Sequence, residues 1–341
     1  MERGTRGPDY WLPWLMQVLR LDPEQLQQAM AAHRMAGSVG DTGDTVVSVI
    51  ELARSDMDRR HFVQASSAYA LGALALPDLD SIVRRTRTPA RGAVSVGEGE
   101  VSAIRSMTKA LGDAAAELGG GHARHLAVRY LTEDVATWLH GDYRAEVGKK
   151  LFTAAAELVH LAGWMAGDEG NQGLSQHYYA HSYRLAAEAG HAEVAATALR
   201  GMAVQAIDLG HPAAAMRLAE ACVHRARHLS DPRATAYYQA TLALAAALDG
   251  ARPTATVALA ASAKAIEREP AAPGLSWAGH YSTGRWANES GMILARLGDL
   301  PAAEEHLRLA LEKHGLDRRR TRAIVLADLG ALRMDRVSRL R

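Results

Sequence analysis

The sequence predicts an all-α, right-handed solenoid of tetratricopeptide-like helical hairpins, and three observations predict it. Ala, Leu, Glu, Arg and Gln recur at 3.6-residue spacing along most of the chain, and alternating β-branched runs are nearly absent. Pro8, Pro23, Pro212, Pro232 and Pro301 stand where helices would begin, since proline in the first turn sacrifices no hydrogen bond. The most specific observation is a beat in the second half. Gly170, Gly210, Gly250 and Gly298, each placed to close a helix before a turn, are spaced by 40, 40 and 48 residues. Small residues keep step with them: Ser175, Ala215, Ala255 and Ala303 after the glycines, then Ser182, Cys222, Ser262 and Ala310. Gly163, Ala203, Ala243 and Gly291 precede them at a constant offset. Small residues at fixed offsets let paired helices approach closely, which is how helical hairpins stack.

Three zones follow in order. Residues 1–37 hold two short helices, Pro8–Arg20 and Pro23–Met35, and residues 38–95 form a helical connector and linker. The linker's end, Arg84-Arg85-Thr86-Arg87-Thr88-Pro89-Ala90-Arg91-Gly92, has four arginines, no acid, a proline and a glycine. Residues 96–341 form the repeat domain. Leu329-Gly330 is expected to start a fifth first-helix, which lacks its partner and acts as a cap.

Composition excludes several function classes. The chain of 341 residues has 39 Lys+Arg against 38 Asp+Glu, so no global basic field points to nucleic acid or membrane. Its single cysteine, Cys222, excludes an intramolecular disulfide and a Cys-based zinc cluster, and at a small-residue core position it reads as an inert thiol. A cytoplasmic location fits. The apolar stretch from Ala65 to Pro77 is too short to span a bilayer. Arg59-Arg60-His61-Phe62 ahead of it imitates an export signal but lies too far along the chain.

Catalytic motifs are poor. Ser106-Met107-Thr108-Lys109 has no companion motifs, Gly274-Leu275-Ser276-Trp277-Ala278-Gly279 misses nucleophile-elbow spacing, and Gly141 to Lys149 is too long for a phosphate loop. The expectation is no enzyme, no cofactor and no metal. His177/His181 and His224/His228 have the i,i+4 spacing of ligand pairs, but neither has a third ligand nearby in sequence, and polar helix surface is the reading preferred.

Binding is the chemistry the repeat geometry suggests. First helices of stacked hairpins line the concave side, where residues four apart share a surface. Counting back from each closing glycine gives Glu157, His160, Trp164 and Asp168, then Thr197, Arg200, Val204 and Asp208. The third repeat gives Tyr237, and the fourth gives Arg285, Asn288, Met292 and Arg296. The binding set is therefore Glu157, His160, Trp164, Asp168, Arg200, Asp208, Tyr237, Arg285, Asn288 and Arg296. Rings, imidazole, carboxylates and guanidiniums on one groove suit a peptide, a small-molecule ligand or a protein partner. A solvated face with interhelix ion pairs, and Trp164 as plain core, is the structural alternative. The Gly119-Gly120-Gly121 run either presents amides to an anion or makes a tight turn, with the turn preferred. The arginines of the last helix read as a solvated face rather than a phosphate contact.

A family resemblance rests on Gly119-Gly120-Gly121-His122-Ala123-Arg124, where a helix is expected near His122, and on Val128-Arg129-Tyr130-Leu131. Leu151-Phe152, Ala155-Ala156-Glu157-Leu158, Leu161-Ala162-Gly163-Trp164-Met165-Ala166, Asp168 and Arg59-Arg60-His61-Phe62 extend it. Together these resemble a group of actinomycete transcription regulators, from about Asp44 to the end. The resemblance implies an N-terminal helix-turn-helix and a C-terminal tetratricopeptide-like sensing region. Gly7-Pro8-Asp9-Tyr10 through Leu15, Val18-Leu19 and Leu21-Asp22-Pro23-Glu24-Gln25-Leu26 look like the last helices of that DNA-binding head. The recognition helix itself is missing, through loss of the head or through a start codon that hides a longer protein. The expectation is a non-catalytic regulatory protein that contacts DNA only if a head domain or partner supplies the recognition helix. Sequence-specific DNA binding as a dimer is one alternative, and an enzyme of unknown class is another. Trp11, Trp14, Leu15, Val18 and Leu19 form an apolar stripe that suits a homodimer.

Overall fold

A computed structural model describes residues 44–57, 94–268, 277–316 and 318–339. The two N-terminal helices, the dimer stripe, Arg59–Phe62, Ala65–Pro77 and the arginine-rich linker lie outside the described residues. Within them every regular element is helical, and an isolated parallel bridge joins Ser95 to Asp142.

Four hairpins carry the architecture: α5 (Ala145–Asp168) with α6 (Gln172–Glu188), α7 (Ala192–Asp208) with α8 (Pro212–Ala226), α9 (Pro232–Asp249) with α10 (Arg252–Ile266), and α11 (Thr283–Arg296) with α12 (Leu300–Lys313). Ahead of them lie α1 (Thr45–Met57), α2 (Glu98–Leu118) and α3 (Gly120–Tyr130), which a π-helical turn, Leu131–Val135, joins to α4 (Ala136–Leu139). A single helix, α13 (Arg319–Arg339), follows the last hairpin. It begins ten residues before the expected Leu329-Gly330 start, so Gly330 lies within the helix and closes nothing.

The closing glycines behave as the sequence predicts. Gly170, Gly210, Gly250 and Gly298 have φ between +72° and +85°, a left-handed conformation that side chains resist. In each case the next amide reaches back to close the helix, as from Asn171 to Ala166 O (2.9 Å) and from His211 to Ala206 O (2.8 Å). Pro212 and Pro232 open α8 and α9, and Pro301 sits in the first turn of α12.

The forty-residue beat is visible atom by atom in the seam of each hairpin. Ser182 Oγ donates to Ala156 O (2.8 Å), Cys222 Sγ to Ala196 O (3.1 Å), and Ser262 Oγ to Ala236 O (2.7 Å). All three side chains are fully buried, and the fourth position, Ala310, is equally buried but has no donor. A small side chain lets the second helix lie close on the first, and its donor takes up a second lone pair of a helical carbonyl. Burial pushes the Cys222 thiol up, as its reading as an inert core residue requires.

First helices also pack on first helices: α5 on α7, α7 on α9, and α9 on α11. They form an inner layer, with the second helices outside. The row bends far enough for α13 to touch α2, and Arg320 of α13 pairs with Asp168 of α5. At the other end α1 is pinned to the array by a buried network. Arg124 pairs with Asp56 and with Glu169 (2.9 Å), and Tyr178 donates to the same Asp56 (2.8 Å). Asp56 is 1% exposed, so its charge depends on these partners for stabilisation.

The glycine run resolves into a tight turn with an anion of the protein's own. Gly119 has φ +92°, and a Cβ on Gly120 would lie 2.7 Å from the Met165 backbone. The helix starts at Gly120, two residues before His122, and the Gly120 amide donates to Asp168 Oδ2 at 2.8 Å. A helix N-terminus does bind a carboxylate here, and the carboxylate is Asp168.

Candidate functional site

The inner layer brings five of the ten expected binding residues into one cluster. His160 and Trp164 come from α5, Arg200 from α7, Tyr237 from α9 and Arg285 from α11. The Arg200 guanidinium lies over the Tyr237 ring, 3.8 Å from its centroid, and Arg285 approaches the same ring at 5.4 Å. Arg200 pairs with Glu289 Oε1 at 2.8 Å, and Arg285 approaches that oxygen at 3.6 Å. One carboxylate is thus shared by two cations, the buried Arg200 and the half-exposed Arg285.

Besides Glu289, three further residues that the sequence reading did not select complete the cluster. Trp277 and Tyr281 belong to the segment between α10 and α11, and they lie across the inner face. The Trp277 indole N–H donates to Tyr237 Oη (3.0 Å). Its ring meets His160 and Trp164 edge-on, with centroids at 4.8 and 6.5 Å. Tyr281 is buried, donates to Glu289 Oε2 (2.8 Å), and packs its ring 4.9 Å from Tyr237. Tyr179 closes the floor from α6, its ring 5.0 Å from His160. Cβ atoms on Gly163 or Gly201 would meet that ring at 2.9 or 2.7 Å, so the two glycines make the slot it fills.

The electrostatics follow from burial. His160 is pushed down to about 3, first by burial and then by Arg200 and Arg285, so it is a neutral imidazole. Burial works against the charge of Arg200, but Tyr237 and Glu289 outweigh it and hold the guanidinium firmly protonated. Among the described residues two floor nitrogens find no hydrogen-bond partner: His160 Nδ1 and Arg200 Nε.

The other five expected residues lie elsewhere. Glu157 faces α2, 3.6 Å from Arg105, and burial raises its carboxyl. Asp168 caps α3 and pairs with Arg320. Asp208 and Arg296 sit exposed at the helix ends, where Asp208 is raised by desolvation against the pull of Arg200 and Arg296. Asn288 bonds Asp328 of α13. The three that end their helices, Asp168, Asp208 and Arg296, form a rim rather than part of the aromatic cluster.

His177 and His181 both lie on α6, whereas α8 ends at Ala226, between His224 and His228. Among the described residues no three His, Cys, Asp or Glu side chains converge on a possible metal position. Lys109 of the Ser106–Lys109 motif is exposed and bonds Asp113 (2.6 Å). A cavity of about 340 Å³ lies away from the cluster, between α1 and the π-helical turn, lined by Val47, Ile50, Arg54, Thr132 and His140 among others. No described helix is long and apolar enough to cross a membrane.

Compared with known proteins, the chain matches no family model, no curated protein and no solved structure.

Proposed function

We propose that this chain is a non-catalytic regulatory protein of the transcription-regulator type. In this reading its hairpins form a right-handed, tetratricopeptide-like solenoid, and its inner face receives a peptide, small-molecule ligand or protein partner. The observation that carries the reading is the cluster itself. Four successive first-helices each contribute a large or charged side chain, from Trp164 and His160 through Arg200 and Tyr237 to Arg285, where a purely structural layer would need only small apolar residues. Rings supply stacking area, guanidiniums supply directed donors, and the neutral imidazole supplies one donor and one acceptor. The residues that resemble actinomycete transcription regulators, Gly119–Arg124 through Asp168, support the same reading. In such a regulator DNA contact comes from a head domain or partner, and the location is cytoplasmic.

Native mass spectrometry of the protein purified from its own host tests this. A stoichiometric non-covalent adduct is expected, and it is expected to be lost from a folded Arg285→Ala variant. A bare mass for the wild-type chain, with no adduct under any gentle condition, overturns the reading.

A further inference from the structure

The segment that crosses the inner face has no counterpart in the other hairpins. Glu188 and Ala192 bracket the short turn between the first two hairpins, whereas the chain between Ile266 and Thr283 is several times longer. This is the source of the 48-residue interval in a beat of 40. The last part of that segment, Trp277 to Tyr281, behaves as a bound peptide would. It engages the face through side chains four residues apart, one indole donor to Tyr237 and one phenol donor to Glu289. Trp277 is half-buried, and Arg285 beside it is 46% exposed, so solvent reaches the edge of this contact.

The fit is incomplete at its floor. His160 is 4% exposed and Arg200 is 9% exposed, yet among the described residues neither His160 Nδ1 nor Arg200 Nε has a hydrogen-bond partner. Buried polar groups of a finished core are almost always satisfied, so two orphans under one segment mark a surface made for a better acceptor. Two guanidiniums sharing Glu289 leave an excess of positive charge there, which selects for carbonyl or carboxylate oxygens.

We propose that the inner face is a peptide-binding groove that the chain occupies with its own segment Trp277–Tyr281. The partner it fits is a peptide that folds into the same single 3-10 turn, seen here at Ala278–His280, and presents a tryptophan, a tyrosine four residues on, and an oxygen acceptor for Arg200. This rests on the reading of the chain as a binding module and specifies what its groove takes and what competes for it. Binding then requires displacement of Trp277, so the groove's apparent affinity is lowered by the fraction of molecules in which the segment is seated.

The test uses the full chain and the synthetic peptide Trp-Ala-Gly-His-Tyr-Ser, the sequence of residues 277–282. Calorimetry is expected to show at least tenfold tighter binding to the Trp277→Ala variant than to wild type. The same peptide with alanine for tryptophan is expected to bind at least tenfold more weakly. A folded Trp277→Ala variant that ignores the peptide overturns the proposal. If that variant does not fold, hydrogen exchange on the wild-type chain decides. Excess peptide is expected to accelerate exchange at Ala278–Thr283 and leave the seam around Cys222 unchanged, and unchanged exchange at both overturns the proposal. A native adduct that leaves Ala278–Thr283 protected removes the displacement idea but keeps the binding module. Absence of both adduct and peptide binding removes both.

Discussion

The seam inside each hairpin and the inner face of the helix row are built by opposite rules. Along the seam a small residue returns with each hairpin, and Ser182, Cys222 and Ser262 each donate to a carbonyl in the same geometry. Across the inner face no position repeats. The residues equivalent to His160 are Arg200, Ala240 and Asn288, and those equivalent to Glu157 are Thr197, Tyr237 and Arg285. The face is bulky and charged, and among the described residues it leaves His160 Nδ1 and Arg200 Nε without a hydrogen-bond partner. Repetition marks what every hairpin needs in order to stack, so departures from it within the same scaffold mark what only this molecule needs.

The sharpest way to break this contrast is to empty the inner face. Tyr179 fills the slot made by Gly163 and Gly201, and truncating a buried aromatic costs roughly 3–5 kcal/mol. Tyr179→Ala is expected to lose that much in guanidinium unfolding at equilibrium. A loss below about 1 kcal/mol would show that the face is not packed as a unit.

Second in size is a pH dependence that belongs to buried histidines. His160 and His181 are each pushed from 6.5 to about 3, by burial first and neighbouring arginines second. Between those values the unfolded chain binds protons that the folded chain excludes, so stability falls as pH drops through this window. Each histidine contributes a slope of about 1.4 kcal/mol per pH unit there. Unfolding curves for wild type and His160→Gln are expected to diverge as the pH rises from about 3 and to run parallel above about 7. Parallel curves throughout would mean that His160 is charged in the fold.

How legible each region was follows from the same contrast. The seam was readable because periodicity is a property of sequence alone: the closing glycines, the small-residue offsets and Cys222 as core needed no third dimension. The inner face was readable only where it kept the helical register, which is why His160, Trp164, Arg200, Tyr237 and Arg285 were found. Glu289 lies one residue beyond the register that selects Asn288, and Trp277 and Tyr281 lie outside any helix that could be counted. The one available hint was the extra eight residues in the 48-residue interval. Rim residues such as Asp168 share the counted register with the face, and closure of the row, which gives Asp168 partners in α3 and α13, leaves no local trace in the sequence.

A third prediction sharpens the seam's side of the comparison. Cys222→Ser keeps a small donor opposite Ala196 O and is expected to change stability by less than about 1 kcal/mol. Cys222→Ala and Ser262→Ala each lose one hydrogen bond, at roughly 1 kcal/mol. Because the two sites lie in different hairpins, the double variant is expected to be additive in thermal unfolding. A coupling above about 1 kcal/mol would mean that the seams communicate.

The smallest expected effect concerns the contact that brings the two ends of the row together. Asp168 serves both ends, since it accepts the Gly120 amide at 2.8 Å and pairs with Arg320. Asp168→Asn would disturb both functions, whereas Arg320→Ala removes only the pairing across the closure. Arg320 is 34% exposed, and solvent-exposed pairs contribute about 0–1 kcal/mol, so the midpoint of unfolding is expected to move little. The shape is a different matter. With α13 held otherwise through α12 and α11, small rotations between successive hairpins add along the row, and the end-to-end separation sums them. X-ray scattering is therefore expected to show a larger radius of gyration for Arg320→Ala at nearly unchanged stability. An exposed control, Lys109→Ala, should leave both quantities alone. If scattering from Arg320→Ala coincides with wild type, the curvature is already fixed by packing among α5, α7, α9 and α11, and the inner face is rigid without a latch.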